Sequence, residues 1–226
     1  METTPIKGFM VFDTETNGLM DYKRPADAPG QPRVAEFAAI LLDAEGNVEQ
    51  EFQRYIKPPW SEDGPDWLMT LEATTVNKIT DEVLLNEGVP IKEVLEWYGE
   101  RINEGYAVVA FGAQFDCKMM RSEFRRAEMD DLFERTRNVC LMRSARPFAK
   151  SIGREIIKAG GSNKGWPKNT DLANFLGVIY DPATLHGALC DARMTTANFR
   201  AMLDLGFVPE PEVHHAKNYE EIRDAK

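Results

Sequence analysis

Four apolar residues, Phe9 to Phe12, run without a break into Asp13-Thr14-Glu15. A short apolar run of this kind reads as a buried strand, and the two-residue period of a strand turns Asp13 and Glu15 to one face. Two neighbouring carboxylates at the buried end of a strand lose hydration and repel each other. A shared divalent cation is the simplest way to keep both ionised. Asp-x-Glu is a short pattern, however, and a solvated acidic pair at a strand end has the same letters.

Two later segments deliver acids in similar settings. Val108 to Phe111 is a second apolar run, followed by Gly112-Ala113-Gln114-Phe115-Asp116 at the start of a helix. His186-Gly187-Ala188-Leu189-Cys190-Asp191 enters the last long helical pattern. Each of these acids, taken alone, reads as a helix cap or first-turn residue favoured by the helix dipole. Their joint occurrence, in this order, carries the chemical signal.

The surrounding pattern is that of an α/β domain. Phe9 to Asp13, Val34 to Leu42 and Phe52 to Ile56 read as strands, and the polar, glycine-containing segment 43–47 between the last two reads as a hairpin turn, giving a three-stranded meander. Pro90 opens a helix with Ile91, Val94, Leu95, Tyr98 and Ile102 on one stripe, and Gly105 stops it. Ala107 to Phe111 follows as a strand, Phe115 to Arg126 as a helix and Asn138 to Leu141 as an edge strand. Further helices are expected over Pro147 to Lys158, Asp171 to Leu176 and Asp191 to Leu205. Segments 58–66 and 160–169 read as loops, with Trp60 and Trp67 as buried loop anchors. A single domain over 1–226 is expected, with its core at about 7–206 and a tail or peripheral helix over 207–226.

Composition narrows the partners. The formal charge is −10 and the pI about 4.9, which argues against binding long nucleic acid through a broad basic surface. A nuclease is not thereby excluded, because bound cations reverse the local field of their carboxylate ligands. No run approaches the ~20 apolar residues of a membrane span, so no membrane partner is expected. Cys117, Cys140 and Cys190 form no CxxC pair and read as free thiols, in keeping with a cytoplasmic location.

Asp13-x-Glu15 after the first strand, Asp116 after a later strand and His186-x4-Asp191 at the last helix together resemble the DEDD superfamily of 3′→5′ exonucleases. This is the ribonuclease H-like group that includes polymerase proofreading subunits, ribonuclease T and oligoribonuclease. The likeness runs from about Phe9 to Leu205. Arg33 to Ile40 resembles that family's second strand, and Ile79-Thr80-Asp81-Glu82-Val83 its turn into a helix. A histidine five residues before the last Asp, with Gly187 where the tyrosine branch has Tyr, places the chain in the histidine (DEDDh, DnaQ-like) branch.

The resemblance implies a mixed five-stranded sheet, its first three strands antiparallel, flanked by helices. It implies hydrolysis of single-stranded DNA or RNA 3′ ends, or of short oligonucleotides, to nucleoside 5′-monophosphates. Two ions, Mg²⁺ or Mn²⁺, would be held by Asp13, Glu15, Asp116 and Asp191. Asp13 would bridge both, Glu15 and Asp191 would complete the site of the attacking water, and Asp116 would serve the second ion, partly through water. His186 would be the general base. Thr16, Asn17, Gly18, Leu19 and Phe115 would contact the terminal nucleotide, with Leu19 as a wedge against a base. On the plainer reading Asn17-Gly18 is a turn and Leu19 a core residue. A homodimer is the assembly that related dimeric ribonucleases suggest. A catalytically silent binding module and a structure-specific endonuclease are the alternatives that share this fold.

Two departures from the family pattern stand out. Phe111-Gly112 replaces His-Asn ahead of the second motif, and Asn77-Lys78 replaces His-Gly ahead of Ile79-Thr80. Outside the motifs, Arg146, Lys150, Arg154 and Lys158 recur every four residues opposite Phe148, Ile152 and Ile156. That stripe reads as a solvated helix face, or as the wall of a groove leading to the site, with Arg143 just upstream. Trp166 between Lys164 and Lys168 has the aromatic-basic mixture that can stack and grip single-stranded bases.

Overall fold

In the computed structural model, which describes residues 5–132 and 135–212, the first apolar run forms strand β1 (Gly8–Thr16). Strand β2 (Val34–Asp43) returns beside it, and β3 (Val48–Tyr55) follows after a turn in which the Asp43 carboxylate accepts hydrogen bonds from the backbone and side-chain amides of Asn47. Both pairings are antiparallel. Short strands β4 (Trp60–Ser61) and β5 (Gly64–Pro65) make a separate ribbon. Helices α1 (Leu71–Asn77) and α2 (Asp81–Glu87) start at Thr70 and Thr80, whose hydroxyls accept from the amides of Ala73 and Val83. Helix α3 (Ile91–Glu104) leads to β6 (Tyr106–Ala110), α4 (Ala113–Arg126) to β7 (Asn138–Cys140), and α5 (Leu141–Ser151), α6 (Asn169–Leu176) and α7 (Ala188–Asp204) complete the order.

The main sheet runs β3-β2-β1-β6-β7, with β6 parallel to β1 and β7 parallel to β6. This is the mixed five-stranded arrangement that the sequence implies. Strand alternation sorts the core into two layers. Met10 and Phe12 of β1 pack with Phe37, Tyr98, Met119 and Phe124 on the α3–α4 side. Phe9 and Val11 pack with Leu42, Phe148, Leu172 and Phe199 on the α5–α7 side. Residues 13 and 15 continue the second series, so Asp13 and Glu15 face α7. Thr14 faces α4.

The pairing of β1 with β6 ends at Val11 and Val109, while β1 continues beside β2 to Thr16. The loop after β1 and helix α4 after β6 both lie on the α3–α4 side of the sheet, where Arg126 of α4 donates to the carbonyls of Ala26 and Pro32. The parting of β1 from β6 leaves a crevice at the carboxyl ends of these strands. The carboxylates of β1 lie at that crevice.

Several expectations need correction. The helix expected over Pro147 to Lys158 starts six residues earlier, directly from β7, and stops at Ser151. Gly153 takes a left-handed φ of 70°, and the amides of Gly153 and Arg154 close the end onto the carbonyls of Lys150 and Ala149. Arg154 and Lys158 therefore do not continue a helical face. Trp60, expected to be buried, is 67% exposed, whereas Trp67 packs against the core. Helix α7 begins three residues before Asp191. The three cysteines are free, and no helix among the described residues is long and apolar enough to cross a membrane. Of the tail, Glu212 bridges to Asn138 at the β7 edge, while 213–226 lies outside the described residues.

Candidate active site

Carboxylate oxygens of Asp13, Glu15 and Asp191 all lie within 4.8 Å of one another. Strand β1 supplies the first two, and the first turn of α7 brings the third onto the same face of the sheet. Asp116 joins from the other side of β1. Its Oδ1 accepts hydrogen bonds from the backbone amide and hydroxyl of Thr14, at 3.2 and 2.9 Å. The residue between the two strand acids thus positions the helix acid, and Asp116 is the strongest charged neighbour of Asp13. The four acids named from sequence therefore meet at one place.

No Lys or Arg forms an ion pair with any of the four among the described residues. The electrostatic consequence is uniform. Burial, then Asp191 and Glu36, push Glu15 up to about 8. Burial raises Asp116 to about 7, although the hydrogen bonds from Thr14 hold it down. Asp13 is raised well above the usual carboxylate range by burial and then by Asp116, Asp191 and Glu15. Asp191 is raised by burial and partly relieved by His186. Mutually repelling, half-enclosed carboxylates with no cationic side chain among them are the donor set that hard divalent cations take. The residues present fit that group.

A fifth acid, Glu36, belongs to the same neighbourhood and was missed as a site residue. It lies opposite Glu15 in the β1–β2 register and is buried. Its carboxylate accepts from the amide of Ala188, the first residue of α7, at 3.0 Å, and from the side chain of Gln53. Glu36 thereby anchors the start of α7, which carries Asp191 and the His186 loop. A signal was present, because Glu36 interrupts an otherwise apolar run from Val34 to Leu42.

His186 is exposed at the rim and adopts a left-handed φ of 67°, a conformation that costs a β-carbon-bearing residue about 1 kcal/mol. Its backbone amide donates to Asp191 Oδ2 at 3.2 Å. No hydrogen bond holds the imidazole among the described residues, so its ring is free to turn toward the crevice.

The loop after β1 is tied down at several points. Asn17 accepts from the Arg33 amide at 2.7 Å and donates to the Leu68 carbonyl at 2.9 Å, so both ends of its side-chain amide serve as a latch. The Thr16 hydroxyl donates to Gly18. Asn77 donates to the Thr16 carbonyl at 3.2 Å and also lowers Glu15 against the other effects. Lys78, where the family pattern has glycine, takes a left-handed φ of 62°. Leu19 is 93% exposed and so is no core residue. Leu71 and Val76 of α1 are exposed as well. Phe115 is half-buried against the α3–α4 layer, and Phe111 packs into the opposite one.

The chain belongs to the exonuclease family described by the RNase_T model, which it matches over residues 10–199. It is 30% identical over 186 residues to DNA polymerase III subunit epsilon of Haemophilus influenzae, covering 82% of this chain and 63% of that one. To the subunit of the same name from Pasteurella multocida it is 27% identical over 221 residues, covering 96% and 78%. Exonuclease I from Methylocaldum szegediense shares the ribonuclease H-like fold with a TM-score of 0.69 at 21% identity, covering 96% of this chain and 43% of that one. The chain thus spans about three fifths of the Haemophilus subunit and under half of that exonuclease I.

Proposed function

We propose that this chain is a metal-dependent 3′→5′ exonuclease that removes nucleoside 5′-monophosphates from single-stranded ends or short oligonucleotides. The observation that carries the proposal is the meeting of Asp13, Glu15 and Asp191 within 4.8 Å, with Asp116 tied in through Thr14 and His186 at the rim. The two relatives above are named as subunits of a DNA polymerase, which favours DNA as the strand.

Mg²⁺ or Mn²⁺, two ions per site, would be held by Asp13, Glu15, Asp116 and Asp191 and would neutralise charge at the phosphate and the departing 3′ oxygen. His186 takes the proton of the attacking water, its loop fixed at the start of α7 by Asp191 and Glu36. The backbone from Thr16 to Gly18 and the ring of Phe115 hold the last nucleotide. Leu19 stands between the last two bases, and Asn17 keeps that loop in shape. On a 5′-labelled single strand with Mg²⁺ or Mn²⁺, a ladder shortening from the 3′ end is expected, and a 3′-terminal phosphate should block it. Unhindered digestion of the blocked strand would refute the polarity.

Two substitutions separate chemistry from positioning. His186→Asn, which tolerates the left-handed backbone, is expected to lower kcat by about 100-fold or more with little change in strand KM. Wild-type kcat in that variant would remove His186 from the mechanism. Glu36→Ala should lower kcat about 10- to 100-fold, as loss of a supporting partner does. Glu36→Gln keeps an acceptor for the Ala188 amide and should recover most of that loss. Equal kcat in Glu36→Ala and wild type would show that the anchor is dispensable.

A further inference from the structure

The chain is acidic, yet its basic side chains are unevenly placed. Between Arg143 and Lys168 there are seven Lys and Arg and one acid, Glu155, which leaves twenty basic against thirty-six acidic residues in the rest of the chain. A segment of opposite sign to its protein points to a polyanionic partner. Although the expected helix stops at Ser151, the fold still gathers its charges. Arg146, Lys150 and Arg154 line one hollow of about 340 Å³, together with Asn163 and the segment's single acid, Glu155, which accepts from the Asn163 side-chain amide.

These cations differ in freedom. Arg146 donates to the carbonyls of Asn163 and Gly165 and sits 5.5 Å from the ring of Trp166, so it fixes the 160–168 loop and leaves the half-exposed indole outward. Lys150 is exposed and has no ion-pair partner among the described residues. Arg154 rests on the ring of Phe175 and likewise pairs with no acid there. Arg143 reaches Gln114, two residues before Asp116, at 3.4 Å. Because α5 leaves β7 at the sheet end that carries the acids, Arg143 and Lys150 form a line descending from the crevice for roughly 10 Å.

We propose that Arg143, Lys150, Arg154 and Trp166 form a second binding site, a track for the single strand upstream of the nucleotide being removed. The cations meet its phosphates and the indole stacks on a base. The direction of the strand rests on the nuclease reading, while the affinity does not. An acidic protein segment fits the charge but gives no reason for the line to begin beside Asp116.

The test measures anisotropy of a labelled oligothymidylate of about 16 nucleotides, with EDTA, over a salt series. Lys150→Glu with Arg154→Glu is expected to raise Kd at least tenfold at low salt. The slope of log affinity against log salt should fall by about 1.4, roughly 0.7 for each lost phosphate contact. Trp166→Ala should weaken binding about fivefold or more. Lys150→Glu alone, which touches no packed ring, keeps the test valid if the double variant fails to fold. Unchanged Kd and slope would overturn the track, and so would unchanged strand binding with lost binding of a labelled polyglutamate peptide. All variants should hydrolyse the p-nitrophenyl ester of thymidine 5′-monophosphate at the wild-type rate. A wild-type protein inert on that ester and on strands would sink the nuclease reading, leaving the affinities to judge the track.

Discussion

Replacing Asp13 with Asn is expected to abolish hydrolysis and to raise the thermal stability of the metal-free protein. The carboxylate of Asp13 makes no hydrogen bond or ion pair among the described residues, and burial and four neighbouring acids all disfavour its charge. Removing one charge relieves repulsion on Glu15, Asp116 and Asp191 together. Relief of each kcal/mol should raise Tm by roughly 2–4 °C in a chain of this size. The same change would remove the carboxylate proposed to be shared by the metal ions, so activity should fall by about 1,000-fold or more. Scanning calorimetry in EDTA at pH 8 and initial rates with Mn²⁺ check both halves. A lower Tm in EDTA would show that the cluster is not held against repulsion.

The second large effect concerns pH and metal together. Glu15 is pushed from 4.5 to about 8 and Asp116 from 3.8 to about 7. Between those limits the folded chain holds protons that the unfolded chain has released, so metal-free stability falls as pH rises through that window. A divalent cation needs the deprotonated carboxylates, displaces their protons and binds more tightly as pH rises. Saturating Mg²⁺ or Mn²⁺ should therefore raise Tm by about 5 °C or more at pH 8.5 and by less than about 2 °C at pH 5.5. Protons should appear in solution on metal addition at neutral pH. A cation effect that is larger at pH 5.5 would contradict this assignment.

The features that sequence reveals are those that break a local pattern. Asp13 and Glu15 interrupt an apolar strand, and the step from Val34-Leu42 through Asp43-Asn47 announces a hairpin, so the antiparallel half of the sheet is legible. Asp191 follows from its spacing to His186. What escapes is decided by long-range contact. Pro147 suggests a helix start because the first turn tolerates proline, but β7 runs straight into Leu141 and begins the helix two turns sooner. Gly153 could sit inside a helix at modest cost, and only the structure shows its left-handed φ and the closing bonds of Gly153 and Arg154 to Lys150 and Ala149. Asn77 is polar and local in sequence, yet its amide reaches the end of β1 across 61 residues. Glu36 showed itself as an acid in an apolar strand, but its purpose depends on Ala188, 152 residues away.

The most direct test sets wild type and Asp13→Asn side by side on a linear and a circular single strand of the same sequence, with Mn²⁺. The wild-type protein is expected to reduce the linear strand to nucleoside 5′-monophosphates and leave the circle intact, and the variant to leave both untouched. Cleavage of the circle by the wild type, or digestion of the linear strand by Asp13→Asn at the wild-type rate, would contradict a metal-centred exonuclease built on these acids.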